Sequence, residues 1–232
     1  MDAATAFRGY LEHLTAADLR LLGGVAGVAP EALQARPARL VELLGTPATE
    51  AAVLGPIDDE PFLRASSFLT FAVAVHRSAA RLDRATSTLE WVGPRQRLPV
   101  FDVSSLRDFL SDPRRRLFLV ELLASFTSVA SGSTWERTRR GWRRRRFSEL
   151  DPVRLASLLE VVGEAERPGV YRRLGDLALF LTGVFPDHTD ARGLGPVQAT
   201  RLLRSAGLAP GETGAGGGVA LLELLGRRWY RL

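Results

Sequence analysis

Pro61-Phe62-Leu63-Arg64-Ala65-Ser66-Ser67-Phe68-Leu69-Thr70-Phe71-Ala72-Val73-Ala74-Val75 is the stretch on which the fold turns. Proline suits the first position of a helix, and the chain from Pro61 to about Thr86 reads as one long helix. Through Phe71–Val75 that helix has no polar face, which places it in the centre of a core. The run Phe62–Val75 spans 14 residues and carries Arg64. That is short of the roughly 20 apolar residues needed to cross a bilayer. A second run, Leu117–Ala130, is equally short and carries Glu121.

Outward from this helix the pattern stays helical. On the N-terminal side, Phe7–Leu14 leads into Thr15-Ala16-Ala17-Asp18, the spacing of a capping box. Pro30, Pro37, Pro47, Pro56 and Pro61 fall at helix-start or turn positions, Pro37 and Pro47 each before an Ala/Leu/Glu-rich run. Gly55-Pro56-Ile57-Asp58-Asp59 is the best boundary. It sets a small helical subdomain, 1–57, before a main helical domain, 58–232.

On the C-terminal side, Leu89–Val103 breaks the helical period. Trp91-Val92 and Val100–Val103 flank a turn-rich centre and predict a hairpin. Ser104 or Ser105 is placed to cap the next helix, and Pro113 restarts it. Leu119, Leu122, Leu123 and Phe126 come after it at helical spacing. Asp151-Pro152 predicts a helix over Val153–Val162. Further helices are expected over Gly169–Gly183, Val197–Ala206 and from Val219 to the end. No βαβ alternation occurs. The expected class is mainly α, a multi-helix globular bundle with one or two short β-hairpins.

Composition narrows the function. All 31 basic residues are arginine; Lys, Asn and Cys are missing and Ile57 is the sole isoleucine. Codon bias of a GC-rich bacterial genome gives that pattern. It weakens any argument from Arg rather than Lys at a given site. Without cysteine there are no disulfides and no thiolate metal sites. Met1-Asp2-Ala3-Ala4 is unlike a signal peptide, so a cytoplasmic location is expected.

Net charge is +5 overall, yet Glu136–Arg146 alone carries seven arginines and one glutamate. The rest of the chain is therefore close to neutral. A near-neutral body with one concentrated cationic segment is the asymmetry of a polyanion binder. Trp135-Glu136-Arg137-Thr138-Arg139-Arg140-Gly141-Trp142-Arg143-Arg144-Arg145-Arg146-Phe147 reads as a basic hairpin, inserted near 133–148 and turning at Arg140-Gly141. Alternation then puts Trp135, Arg137, Arg139, Trp142, Arg144 and Arg146 on one face. In that register Trp135 lies opposite Arg146 and Glu136 opposite Arg145, a cation–π pair and a salt bridge.

Such a ribbon grips phosphates while its indoles stack on bases. The nucleic-acid-binding candidates are Trp135, Arg137, Arg139, Arg140, Trp142, Arg143, Arg144, Arg145 and Arg146. With the helix expected at Val153, the unit resembles a wing beside a helix in shape. The competing expectation is a helical protein–protein adaptor that docks an acidic partner, with a homodimer also open. Under it the arginines are a solvated face or are neutralised within the fold.

Other chemistry has less support. His13, His76 and His188 form no ligand-spaced pair, and His76 in an apolar helix reads as a hydrogen-bonded core histidine. Asp187-His188-Thr189-Asp190 is the one compact acid–imidazole cluster, with a metal or base role as its minority reading. Glu121, if buried, needs a partner, for which an arginine is expected. Gly175-Asp176 is a candidate polar contact within its helix. Gly211–Gly218 lacks the Lys-Ser/Thr of a phosphate loop, and Gly195–Leu208 imitates the second helix of a helix-turn-helix only loosely. No catalytic residue, metal or cofactor is assigned. The expected function is non-catalytic nucleic-acid binding or regulation.

Overall fold

The computed structural model describes residues 3–55, 65–139, 141–209 and 217–232. Among them are thirteen α-helices, two short 3-10 helices and two separate two-stranded antiparallel ribbons. The chain divides into two compact units, one of residues 1–90 and 99–127, the other of 91–98 and 128–232. The boundary expected at residue 57 lies at 56–64, outside the described residues. Described residues before and after it share one core.

The first unit begins with α1 (Ala3–His13), α2 (Ala16–Ala26), α3 (Pro30–Gln34), α4 (Pro37–Leu44) and α5 (Pro47–Leu54). Pro30, Pro37 and Pro47 each open a helix, where a missing N–H costs nothing. The capping box forms: Thr15 accepts from the Asp18 amide while Asp18 accepts from the Thr15 amide. Asp18 is fully buried, and its other oxygen accepts from the Ser66 amide at 2.8 Å. One carboxylate thereby ties the start of α2 to the start of α6 (Ser67–Leu82).

The central helix starts later than Pro61 predicts. Ser66 takes an extended backbone and its side chain accepts from the Leu69 amide, so the helix begins at Ser67. Residues 61–64 lie outside the described ones. Phe68, Leu69, Ala72, Val73 and Val75 of α6 are buried, as a helix without a polar face requires. They meet Tyr10, Leu22, Leu33, Leu40, Leu44 and Val120 in one cluster.

After α6 comes a ribbon of β1 (Thr88–Gly93) and β2 (Gln96–Val100), turning at Pro94-Arg95. The second strand ends earlier than expected because Val103 already opens α7 (Val103–Ser111). Ser104 and Ser105 do not cap it; their hydroxyls donate to the Asp102 carboxylate. Asp112 caps α8 (Pro113–Ser125), which buries Leu117, Val120 and Leu122.

The second unit contains β3 (Ser131–Thr138), β4 (Gly141–Ser148) and α9 (Pro152–Ala156), followed by 3-10 turns at Ser157–Glu160 and Glu164–Glu166. The helix expected over Val153–Val162 is thus one five-residue turn that tightens into 3-10. Then come α10 (Arg167–Val184), α11 (Pro186–Arg192), α12 (Pro196–Ser205) and α13 (Gly218–Trp229). The crossing of α10 and α13 is close. A Cβ on Gly226 would stand 2.9 Å from the Ala178 methyl, and one on Gly175 would stand 2.9 Å from the Tyr230 ring. Leu174, Leu177, Leu222, Leu225 and Trp229 fill the seam.

Candidate nucleic-acid interface

The basic segment is a β-hairpin, with its turn one residue earlier than expected. Thr138 pairs with Gly141, so Arg139 stands at the tip; Arg140 lies outside the described residues. Gly141 takes φ 116° as the first residue of β4. Glycine supplies the positive φ where the strand leaves the turn, and that moves the closing pair toward the N-terminus.

The register is set by this pair. Trp135 stands opposite Arg144, not Arg146, and Glu136 opposite Arg143, not Arg145. The cross-strand positions expected for a cation–π pair and a salt bridge are therefore not the ones that this register pairs. Moving the turn by one residue changes both strands together, so the two-residue alternation of faces survives. Trp135, Arg137, Trp142 and Arg144 still share a face. They form a checkerboard, with Trp135 across from Arg144 and Arg137 across from Trp142.

All four are exposed, Trp135 at 61% and Trp142 at 68%. Large indoles left this open are unusual, since Trp is normally well buried. Arg139 is exposed at the tip. Among the described residues, Arg137, Arg139 and Arg144 have no carboxylate partner. Arg144 Nε donates to Ser133 Oγ at 2.9 Å, which steadies its guanidinium along the ribbon. For Arg143, Arg145 and Arg146 the strand placement is described, and they occupy register positions across from Glu136, Thr134 and Ser133.

The base of the ribbon is tied down. Glu149 N–H donates to Ala130 O at 3.1 Å, and the Glu149 carboxylate accepts from the Ala130 amide and from Arg173 of α10. Asp151 then accepts from the Val153 and Arg154 amides to start α9. The ribbon is eight residues per strand, roughly 26 Å at about 3.3 Å per residue. The sequence carries no signal for Glu149 or Ser133, because an anchor is recognised only by what it reaches.

The remaining candidates resolve as structural contacts. Asp187 accepts from Trp91 Nε1 at 2.8 Å and from the Arg95 amide at 2.7 Å. The Arg95 amide first, and the Trp91 indole next, hold its carboxyl below the usual range. A carboxylate so engaged fastens the β1–β2 turn and makes a poor base. Asp190 instead packs against Gly217. Among the described residues no group of three His, Asp or Glu is arranged to hold a metal. Gly211–Gly216 lies outside the described residues.

His76 is buried and bonds Tyr10 Oη through Nε2 at 2.8 Å. Burial first, and the Arg116 charge next, pull its pKa down to about 3. Glu121 is not buried against an arginine; it pairs with His13 Nε2 at 3.1 Å, and both are partly exposed. Asp176 accepts from Tyr230 Oη at 2.8 Å. Among the described residues, no helix is long and apolar enough to cross a membrane.

Comparison with protein-family models, with curated proteins and with solved structures finds no match to this chain.

Proposed function

We propose that this protein binds nucleic acid, without catalysing a reaction, through the β3–β4 ribbon. The observation that carries the reading is the face of Trp135, Arg137, Trp142 and Arg144, exposed and alternating in charge and aromaticity. A surface made only for solubility gains nothing from two open indoles.

The chemistry is a division of labour. Guanidinium groups donate to phosphate oxygens and displace condensed counterions, which gives affinity without sequence preference. Indoles offer flat apolar surfaces to bases, whichever base arrives. Diagonal residues across a strand pair sit roughly 7–8 Å apart. That is about twice the 3.4 Å rise per step of a stacked strand. Each indole therefore has room for its own unstacked base, while Arg137 and Arg144 lie beside the rings to meet the backbone.

The test is fluorescence anisotropy with a labelled oligodeoxythymidine, comparing the parent with Arg137→Ala/Arg144→Ala. The reading expects affinity to drop by about tenfold or more, from two lost charge-assisted contacts. Unchanged affinity, with an unchanged far-UV circular dichroism spectrum, would sink it. An acidic protein as the partner would instead leave the parent without nucleic-acid affinity near physiological salt.

A further inference from the structure

A second concentration of positive charge lies in the same unit, away from the Glu136–Arg146 run in sequence and invisible to any sequence window. A cleft of about 800 Å³ is lined by residues of α9, α10 and α12, together with the 3-10 turn after α9. Its walls include Arg154, Arg167, Arg201 and Arg204, with Tyr171 beside them and Glu160 as the one acidic side chain in the lining. The volume is within the range of ordinary ligand sites.

Two features leave the positive charge of the cleft uncompensated. Arg201 and Arg204 sit three residues apart on α12, where like charges on neighbouring positions repel. Neither has a carboxylate partner among the described residues. Arg167 is partly buried, and its Nε is shielded from solvent with no acceptor among them. A buried donor left without a partner is destabilising. Arg154 alone is balanced, by Asp151 at 3.2 Å. Arg167 is also the first residue of the 18-residue helix α10, whose positive end adds to the field.

We propose that this cleft binds a phosphate-bearing ligand. A phosphate brings up to two negative charges and several acceptor oxygens, and guanidinium forks match that geometry. Arg201 and Arg204 close on it from α12 and Arg167 from the start of α10. The phosphate comes from a small molecule or from the backbone of a nucleic-acid strand that also lies on the ribbon. In both cases the recognised group is the same.

Two probes and three variants separate these cases: pyrophosphate by isothermal titration calorimetry, and labelled oligodeoxythymidine by anisotropy. The variants are Arg201→Ala/Arg204→Ala, on the exposed side of α12, the length-preserving Arg167→Gln, and the ribbon variant Arg137→Ala/Arg144→Ala. Pyrophosphate binding that weakens about tenfold in either cleft variant, and persists in the ribbon variant, supports a small-molecule phosphate. No pyrophosphate binding, but an oligonucleotide affinity about tenfold lower in the cleft variants, supports a backbone phosphate. If neither probe responds to either cleft variant, the proposal is overturned. No pyrophosphate binding, with oligonucleotide affinity lost only through the ribbon variant, overturns the cleft and leaves the ribbon reading standing.

Discussion

Trp135 of β3 faces Arg144 of β4 directly across the ribbon, and both are open to solvent. The same arrangement repeats with the order reversed at Arg137 and Trp142, so the two indoles fall on a diagonal. Bases inside a duplex have their faces covered by one another, whereas a single strand presents them. Trp142→Ala should therefore weaken oligodeoxythymidine binding by about tenfold, from stacking worth roughly 1–3 kcal/mol per base, and duplex binding much less. Trp142→Phe should restore most of it, since a smaller ring still stacks. Equal losses on single strand and duplex would mean that the indole does not meet a base.

The seam between α10 and α13 makes a prediction about stability. Gly226 leaves no space for a methyl, because the Ala178 Cβ already occupies it. Gly226→Ala should destabilise the second unit by about 1–3 kcal/mol through overpacking, even though alanine is the better helix former. Urea unfolding followed by tryptophan fluorescence reads it, since Trp229 is buried in that seam. A stabilised variant would contradict the close approach of the two helices.

His76 gives a pH dependence. Its ordinary pKa is 6.5, and in the fold it is pulled down to about 3. Below pH 6.5 the unfolded chain takes up a proton that the folded imidazole refuses, so stability falls as pH drops toward 3. Between pH 6.5 and 5 the loss from this residue is about 2 kcal/mol, at roughly 1.4 kcal/mol per unit. His76→Gln retains a partner for Tyr10 Oη but does not titrate. Urea midpoints measured by circular dichroism from pH 7 to 5 should fall more steeply in the parent than in this variant. Parallel slopes would show that His76 is not buried in its neutral form.

Which of these features the sequence can reveal depends on how far each signal reaches along the chain. The capping box at Thr15 and Asp18, and prolines 30, 37 and 47 at helix starts, depend on neighbours within four residues and are legible. So is the two-residue alternation that puts Trp135, Arg137, Trp142 and Arg144 together. The register is not, because Gly141 can supply positive φ either within a turn or just after it. The start of α6 falls later than Pro61, itself a sound helix opener, because Ser66 is fixed by its own cap and by distant Asp18. Glu121 invites an arginine on sequence alone, since the periodicity of α8 cannot show that His13 of α1 is the residue alongside. The arginines of the cleft escape for the same reason, being spread over Arg154–Arg204 and gathered only by folding.

If the ribbon's arginines meet phosphates, the salt dependence of binding reports it. Each phosphate neutralised contributes about −0.7 to the slope of log affinity against log salt for a single strand. Arg137→Ala/Arg144→Ala removes two guanidinium groups from one face, so the slope should become shallower by about 1.4 relative to the parent. The measurement is an anisotropy titration of oligodeoxythymidine at a series of salt concentrations, on both proteins, with the fold checked by circular dichroism. Parent and variant lines of identical slope would contradict the claim that this face binds a phosphate backbone.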